Sequence, residues 1–257
     1  MAHQTSAADH GIRILTPGQQ TKTNCWSCGA MRAAQFCQQC GKVQPPAPAD
    51  YFTFFALPYK LNIDAAQLER EFYELSRHLH PDINAIQSER EQQWALEQSS
   101  HLNDAYRTLK DPVTRTEYLL RLQGVELEEQ SKAATEEARR TGKLKKQVVP
   151  PDLLEEVFEL NMQLEEMRMN KKMGEPDRNL ERQLQDAKKN LQGRHDRLMQ
   201  ELSAAWSEWD ASVDRAAQGE TVLEDDRLAA RNKMLDVLNR RNYLRNLLRD
   251  IDEVLES

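Results

Sequence analysis

The sequence predicts an all-α protein: a helical hairpin module followed by a C-terminal three-helix bundle, behind a small N-terminal segment that carries all the cysteines. Three observations predict it. Two helical stripes flank a short polar turn at residues 80–82, three long amphipathic stripes follow from Asp152 onward, and the composition suits helices. Of 257 residues, 39% are hydrophobic and 30% charged, with only 9 glycines and 10 prolines. That balance favours helices with solvated outer faces over a sheet-rich core. The formal net charge of −7 lacks the basic footprint that a nucleic-acid binder needs. No run approaches the roughly 18 apolar residues of a membrane span. No phosphate-cradling glycine loop of a nucleotide-dependent enzyme occurs, so no chemistry of the chain's own is expected. The expected organisation is a flexible tail over 1–24, a cysteine segment over 25–46, the hairpin module over 50–124, a charged connector over 125–149 and the bundle over 150–257.

In the hairpin module, Leu68, Phe72, Leu75 and Leu79 step by four, three and four, which lines one helical face. Ala95, Leu102, Ala105, Tyr106 and Leu109 line a second helix from about Ser88 to Lys110. Between them stands His80-Pro81-Asp82. Pro81 disfavours helical backbone at His80, so the first helix is expected to stop near Leu79 and leave the three residues at an exposed tip. Asp50 caps a short helix before Pro58, Asp64 caps the helix that leads to the tip, and Asp111-Pro112 opens a last short helix closed by Gly124. A polar loop would explain the tip blandly. An acid–base pair of His80 and Asp82 would lack any nucleophile or second carboxylate beside it. The third reading is recognition: in its register between two helices, followed by Asn103-Asp-Ala-Tyr-Arg-Thr-Leu-Lys-Asp-Pro112, the stretch resembles a J-domain. Such modules dock on DnaK-type chaperones and stimulate their ATPase.

The cysteines form two Cys-x-x-Cys pairs, Cys25/Cys28 and Cys37/Cys40, each followed by a glycine. This spacing is a metal signature. Four thiolates suit a tetrahedral Zn²⁺ with no open position, hence a structural site. Iron ligation by the same sulfurs is the chemical alternative. Disulfides would need an oxidising compartment, and a thioredoxin-like pair would need a β-α-β unit. Trp26 and Phe36 are expected to cover the metal. Residues 1–24 are too polar to bury much, and His3 and His10 read as tail residues. They also lack the apolar core of a secretory signal, carry Asp9, and hold one arginine, so the cytosol is the expected location.

After the connector, Leu153, Val157, Leu160, Leu164 and Met167 form one stripe, with Leu154, Phe158 and Met162 as a neighbouring row. Leu180, Leu184, Ala187, Leu191, Leu198, Leu202, Ala205 and Trp209 take near-heptad steps along a second helix. Leu228, Leu235, Leu238, Leu244, Leu248, Ile251 and Leu255 form a third stripe. A dimerising coiled coil would use narrower seams. Stripes this wide predict an intramolecular bundle and a monomer.

Together the cysteine pairs, the start Asp50-Tyr-Phe-Thr, the phrase Arg115-Thr-Glu-Tyr-Leu-Leu-Arg-Leu-Gln-Gly124 and the bundle look like the HscB family, in its four-cysteine form. These are J-type co-chaperones of iron–sulfur cluster biogenesis. The resemblance implies an ATPase activator that delivers an IscU-type scaffold protein to a DnaK- or HscA-type chaperone. It carries chaperone docking to His80, Pro81 and Asp82, with Arg70 and Arg77 as flanking charges. It carries scaffold binding to Leu154 and Phe158, with Glu159 beside them, in the stretch Leu153-Leu-Glu-Glu-Val-Phe-Glu-Leu160. Glu155 stands where the family has an apolar residue. The alternative is a J-domain co-chaperone whose bundle recruits a different client.

Overall fold

The structure, a computed structural model, describes residues 23–33, 35–84, 86–125, 154–175 and 177–256. The expected tail and the connector over 125–149 thus lie almost wholly outside the described residues, as does Leu153. The chain divides into two compact units, one of residues 1–125 with 206–229, the other of residues 126–205 with 230–257. The stretch 150–257, expected as one bundle, is therefore shared between them.

The first unit begins with a two-stranded antiparallel ladder, β1 (Thr23–Asn24) and β2 (Met31–Ala33). Helix α1 (Tyr51–Phe54) starts at Asp50, whose carboxylate accepts from the Phe52 and Thr53 amides and from the Thr53 and Tyr59 hydroxyls. That one side chain therefore satisfies the orphan donors of the first turn and ties it to the next loop. The helix ends before Pro58 does its work, because Ala56 turns left-handed (φ 52°) and the Leu57 amide closes back on the Phe52 carbonyl.

Asp64 caps α2 (Ala65–Leu79), which buries Leu68 and Leu79. His80 is extended (φ −62°, ψ 132°), as a residue before proline must be, and the helix stops at Leu79. A short turn of helix that periodicity does not announce, α3 (Pro81–Asn84), follows at once. Helix α4 (Glu89–Lys110) opens on a capping box of Ser88 and Glu91. It packs Ala95, Leu102, Ala105 and Leu109 into the core. Asp111 caps α5 (Pro112–Leu122), with Pro112 at the position where its missing N–H costs nothing.

The C-terminal half of the chain supplies α6 (Leu154–Met173), α7 (Arg178–Ala217) and α8 (Glu224–Glu256). In the first unit, Trp209 of α7 donates its indole N–H to the Tyr59 carbonyl at 2.8 Å. Asp210 accepts from the Leu61 and Asn62 amides at 2.7 and 2.8 Å, and from the Asn62 side chain at 2.9 Å. Asp210 is buried, so removing its carboxylate strands buried donors. Asp210→Ala is expected to cost about 2–4 kcal/mol. Urea unfolding should show a lower midpoint at unchanged slope, and an unmoved midpoint would refute the role.

The core of the second unit is built from Val157, Leu160, Leu164 and Met167 of α6, Leu180, Leu184 and Leu191 of α7, and Tyr243, Leu244, Leu247, Ile251 and Val254 of α8. Ion pairs rim it, Glu156 with Arg194 at 2.6 Å and Asp252 with Lys188 at 2.6 Å. No helix among the described residues is long and apolar enough to cross a membrane.

Candidate functional site

Three features are candidates: the tip between α2 and α4, the cysteine cluster, and the outer face of α6.

At the tip, His80 is half exposed and the Asp82 side chain almost fully so, with His80 Nδ1 and Asp82 Oδ2 3.7 Å apart. His80 Nδ1 accepts from the Asp82 amide at 3.2 Å, which leaves Nε2 as the ring nitrogen that can donate. Pro81 is described by its backbone, as the first residue of α3. The turn is held from inside by Asn84, a residue that sequence reasoning missed. Its buried side-chain amide donates to the His78 and His80 carbonyls, both at 3.0 Å. Arg70 and Arg77 are exposed on α2, seven residues apart and so on one face. Tyr73, also exposed, falls on the same face between them. Tip and arginines thus present charged and polar groups to solvent.

In the cysteine cluster, the two Cys-x-x-Cys turns are near copies. The Gly29 amide donates to the Cys25 carbonyl at 2.9 Å, and the Gly41 amide to the Cys37 carbonyl at 2.8 Å. Gly29 and Gly41 have φ of 73° and 72°, a conformation that side chains resist. The turns aim four Sγ atoms at one point, all within 4.8 Å of one another, with Cys25–Cys40 and Cys28–Cys37 each 3.7 Å apart. That is too long for a disulfide. It matches the edge of about 3.8 Å expected of a tetrahedron with metal–sulfur bonds of about 2.3 Å.

The cluster can hold a metal ion. Burial opposes ionisation of Cys25, but the amides of Cys28 and Ser27 outweigh it and bring the thiol down to about 6. The amides of Cys40 and Gln39 lower Cys37 likewise. At Cys28 the Ala30 amide favours the thiolate, yet burial and the neighbouring sulfurs push it up to about 12. Sulfurs crowded about one point resist full ionisation until a cation shares their charge.

Trp26 and Phe36, expected to cover the metal, are docking groups. The Trp26 ring meets Trp94 edge-on at 5.8 Å, and Phe36 stacks on His78 at 3.8 Å. Lys42 pairs with Glu91 at 2.8 Å, and this hydrogen bond is the chief reason the Glu91 carboxyl lies below its ordinary range. The stabilisation is therefore full above the ordinary carboxylate pKa and is lost as pH falls through the depressed one.

On α6 the inner stripe is buried as its spacing predicts, and a second apolar row faces out. Phe158 is 70% exposed, and Met162, Met169 and Met173 are exposed with it. Glu155 and Glu159 flank Phe158 on the surface. The side chain of Leu154 lies outside the described residues; its backbone opens the helix.

The DnaJ domain family model matches residues 51–118. The chain is similar to the iron–sulfur cluster co-chaperone protein HscB of Mus musculus, 36% identical over 129 residues that cover 46% of this chain and 55% of that protein. To the HscB homologue of Arabidopsis thaliana it is 32% identical over 148 residues, 57% of this chain and 53% of that protein. To that of Vibrio cholerae it is 46% identical over 78 residues, 30% and 46% respectively. The chain thus spans about half the length of the curated relatives it matches. The crystal structure of human co-chaperone protein HscB shares the fold, with TM-score 0.53 over 90% of this chain and 98% of that one at 24% identity. Chaperone HscB from Vibrio cholerae aligns with TM-score 0.51 over 80% and 98%, at 25% identity.

Proposed function

We propose that this chain, homologous to the HscB family and alike in fold, works as a J-type co-chaperone that brings an IscU-type iron–sulfur scaffold to a DnaK- or HscA-type chaperone. The tip of His80, Pro81 and Asp82, with Arg70 and Arg77 on the neighbouring face, docks on the chaperone's ATPase domain and speeds hydrolysis. The outer face of α6, through Leu154, Phe158 and Glu159, holds the scaffold. The observation that carries this reading is the exposure of Phe158, 70% open to solvent on a helix whose opposite face is core. A bundle gains nothing by leaving a phenylalanine there, whereas a partner surface does. In the cysteine cluster Zn²⁺ is the metal we propose. Cys25, Cys28, Cys37 and Cys40 would hold it with four thiolates, and the ion would supply folding free energy to a segment with little core of its own.

ATP hydrolysis by an HscA-type chaperone, followed with this protein alone, with scaffold alone and with both, tests the pairing. The rate with both is expected to exceed the product of the separate stimulations. Stimulation by the protein that scaffold never increases would leave a J-type co-chaperone of some other client.

A further inference from the structure

We infer that Phe36 and Lys42, both on the second cysteine hairpin, are positioning residues for the His80–Asp82 tip, so that the metal-held knuckle is a working part of the chaperone-docking element. The functional arm of this inference rests on the proposed co-chaperone reading; its structural arm does not.

The two residues grip the tip from opposite ends. The Phe36 ring lies on the His78 imidazole, centroids 3.8 Å apart and planes 15° from parallel. His78 sits in the last turn of α2, and its carbonyl is one of the two that receive the Asn84 amide. On the far side, Lys42 pairs with Glu91 at 2.8 Å and donates to the Gln87 side chain. The Gln87 backbone amide in turn donates to the Asn84 carbonyl at 3.0 Å. Both grips therefore converge on Asn84, the buried side chain that bridges the His78 and His80 carbonyls.

Helix α3 is a single turn of four residues, and its Ile83 and Asn84 amides both depend on the His80 carbonyl, at 3.1 and 3.3 Å. An element with so few internal bonds takes its stability from its anchors.

What spaces those anchors is the metal turn itself. Cys37 and Cys40 lie between Phe36 and Lys42 in the chain. The Cys37 amide donates to the Lys42 carbonyl at 2.9 Å, and Phe36 pairs with Val43 as an isolated bridge. The hairpin is seated on the helices by side-chain amides: Gln98 donates to the Gln44 carbonyl at 2.6 Å and Gln35 to the Phe54 carbonyl at 2.8 Å. With the base fixed and the turn closed by four sulfurs, Phe36 and Lys42 stand at a set separation across the tip. Opening the turn by taking away its ion removes that spacing, because a segment this small keeps its shape only while the ligands are held.

The test uses the full metal-loaded chain and the variants Phe36→Ala, Phe36→Tyr and Lys42→Met. Three quantities are read: metal per chain, amide exchange at Asn84 and Gln87 against Arg115 as an internal control, and stimulation of a DnaK-type ATPase over a concentration series. Phe36→Ala should keep its metal and leave Arg115 unchanged. It should speed exchange at Asn84 and raise the half-saturating concentration, each by roughly five- to tenfold, the worth of one lost aromatic stack. The maximal rate should stay near that of wild type, and Phe36→Tyr should restore both.

Wild-type exchange and half-saturation in metal-loaded Phe36→Ala would overturn the inference. If that variant loses its metal, Lys42→Met decides, since its side chain binds Glu91 and Gln87 on the other side of the tip: faster exchange at Gln87 with metal retained upholds the inference, and unchanged exchange overturns it. A wild-type protein that stimulates no DnaK-type ATPase would sink the proposed function, while the exchange data would still decide this inference.

Discussion

His80→Gln is expected to bring stimulation of the partner ATPase down to the unstimulated rate while leaving the helices intact. The ring is half exposed, and its backbone hydrogen bond within the tip is the one that Nδ1 accepts from the Asp82 amide. A glutamine oxygen can accept that same bond, so the turn need not open. What glutamine cannot supply is the rigid aromatic ring that holds the second nitrogen at a fixed place. Small, exposed recognition elements concentrate binding in a few such groups, and losing one costs about 2 kcal/mol or more. Circular dichroism and urea unfolding should match wild type within error. Unchanged stimulation would show that the tip is a connecting loop and nothing more.

The second large effect is expected at the cysteine cluster. Cys37→Ser should lower zinc from about one ion per chain to about none, because a neutral hydroxyl replaces a buried thiolate in a four-sulfur set. Structural zinc in such small segments contributes on the order of 10–16 kcal/mol of apparent binding free energy, far more than the short ladder of β1 and β2 can replace. The hairpin turns should therefore lose their exchange protection, while α6 and the core of the second unit keep theirs. Elemental analysis checks the first part and amide exchange the second. Iron in place of zinc would refute the metal assignment without disturbing the four-sulfur geometry, and protein without metal that kept its knuckle ordered would refute the site.

How much of this was legible in the sequence depends on the range of the interactions involved. Features set within a few residues could be read. Pro81 stops α2 at Leu79, Asp50, Asp64 and Asp111 cap the helices they precede, and Cys-x-x-Cys followed by glycine gives the paired turns. Along α6 the spacing of Val157, Leu160, Leu164 and Met167 gives the inward face, whereas Phe158 and Met162 read as a neighbouring row whose exposure the structure supplies.

Longer-range features could not be read in this way. Asp210 meets Leu61 and Asn62 across some 150 residues, and nothing beside it in the chain announces a buried anchor. That pairing moves residues 206–229 into the first unit. On α8 the expected stripe is buried at Leu238, Leu244 and Ile251, while its other members, Leu228, Leu235, Leu248 and Leu255, are half-buried at the edge of that face. Met234, Val237, Tyr243, Leu247 and Val254 are buried with them, and the leucine spacing alone does not announce these. Asn84 holds the tip through side-chain bonds that periodicity does not encode, and Phe36 is explained by His78 rather than by the cysteine cluster next to it.

The most direct test of the co-chaperone reading is calorimetric titration of this protein with an IscU-type scaffold, with Phe158→Ala run alongside. The account predicts binding in the micromolar range, about −8 kcal/mol, weakened at least tenfold in the variant by the loss of one buried aromatic contact. Because Phe158 is mostly exposed, the variant should keep full helicity. No binding by the wild type, or equal binding by a fully folded Phe158→Ala, would contradict the account.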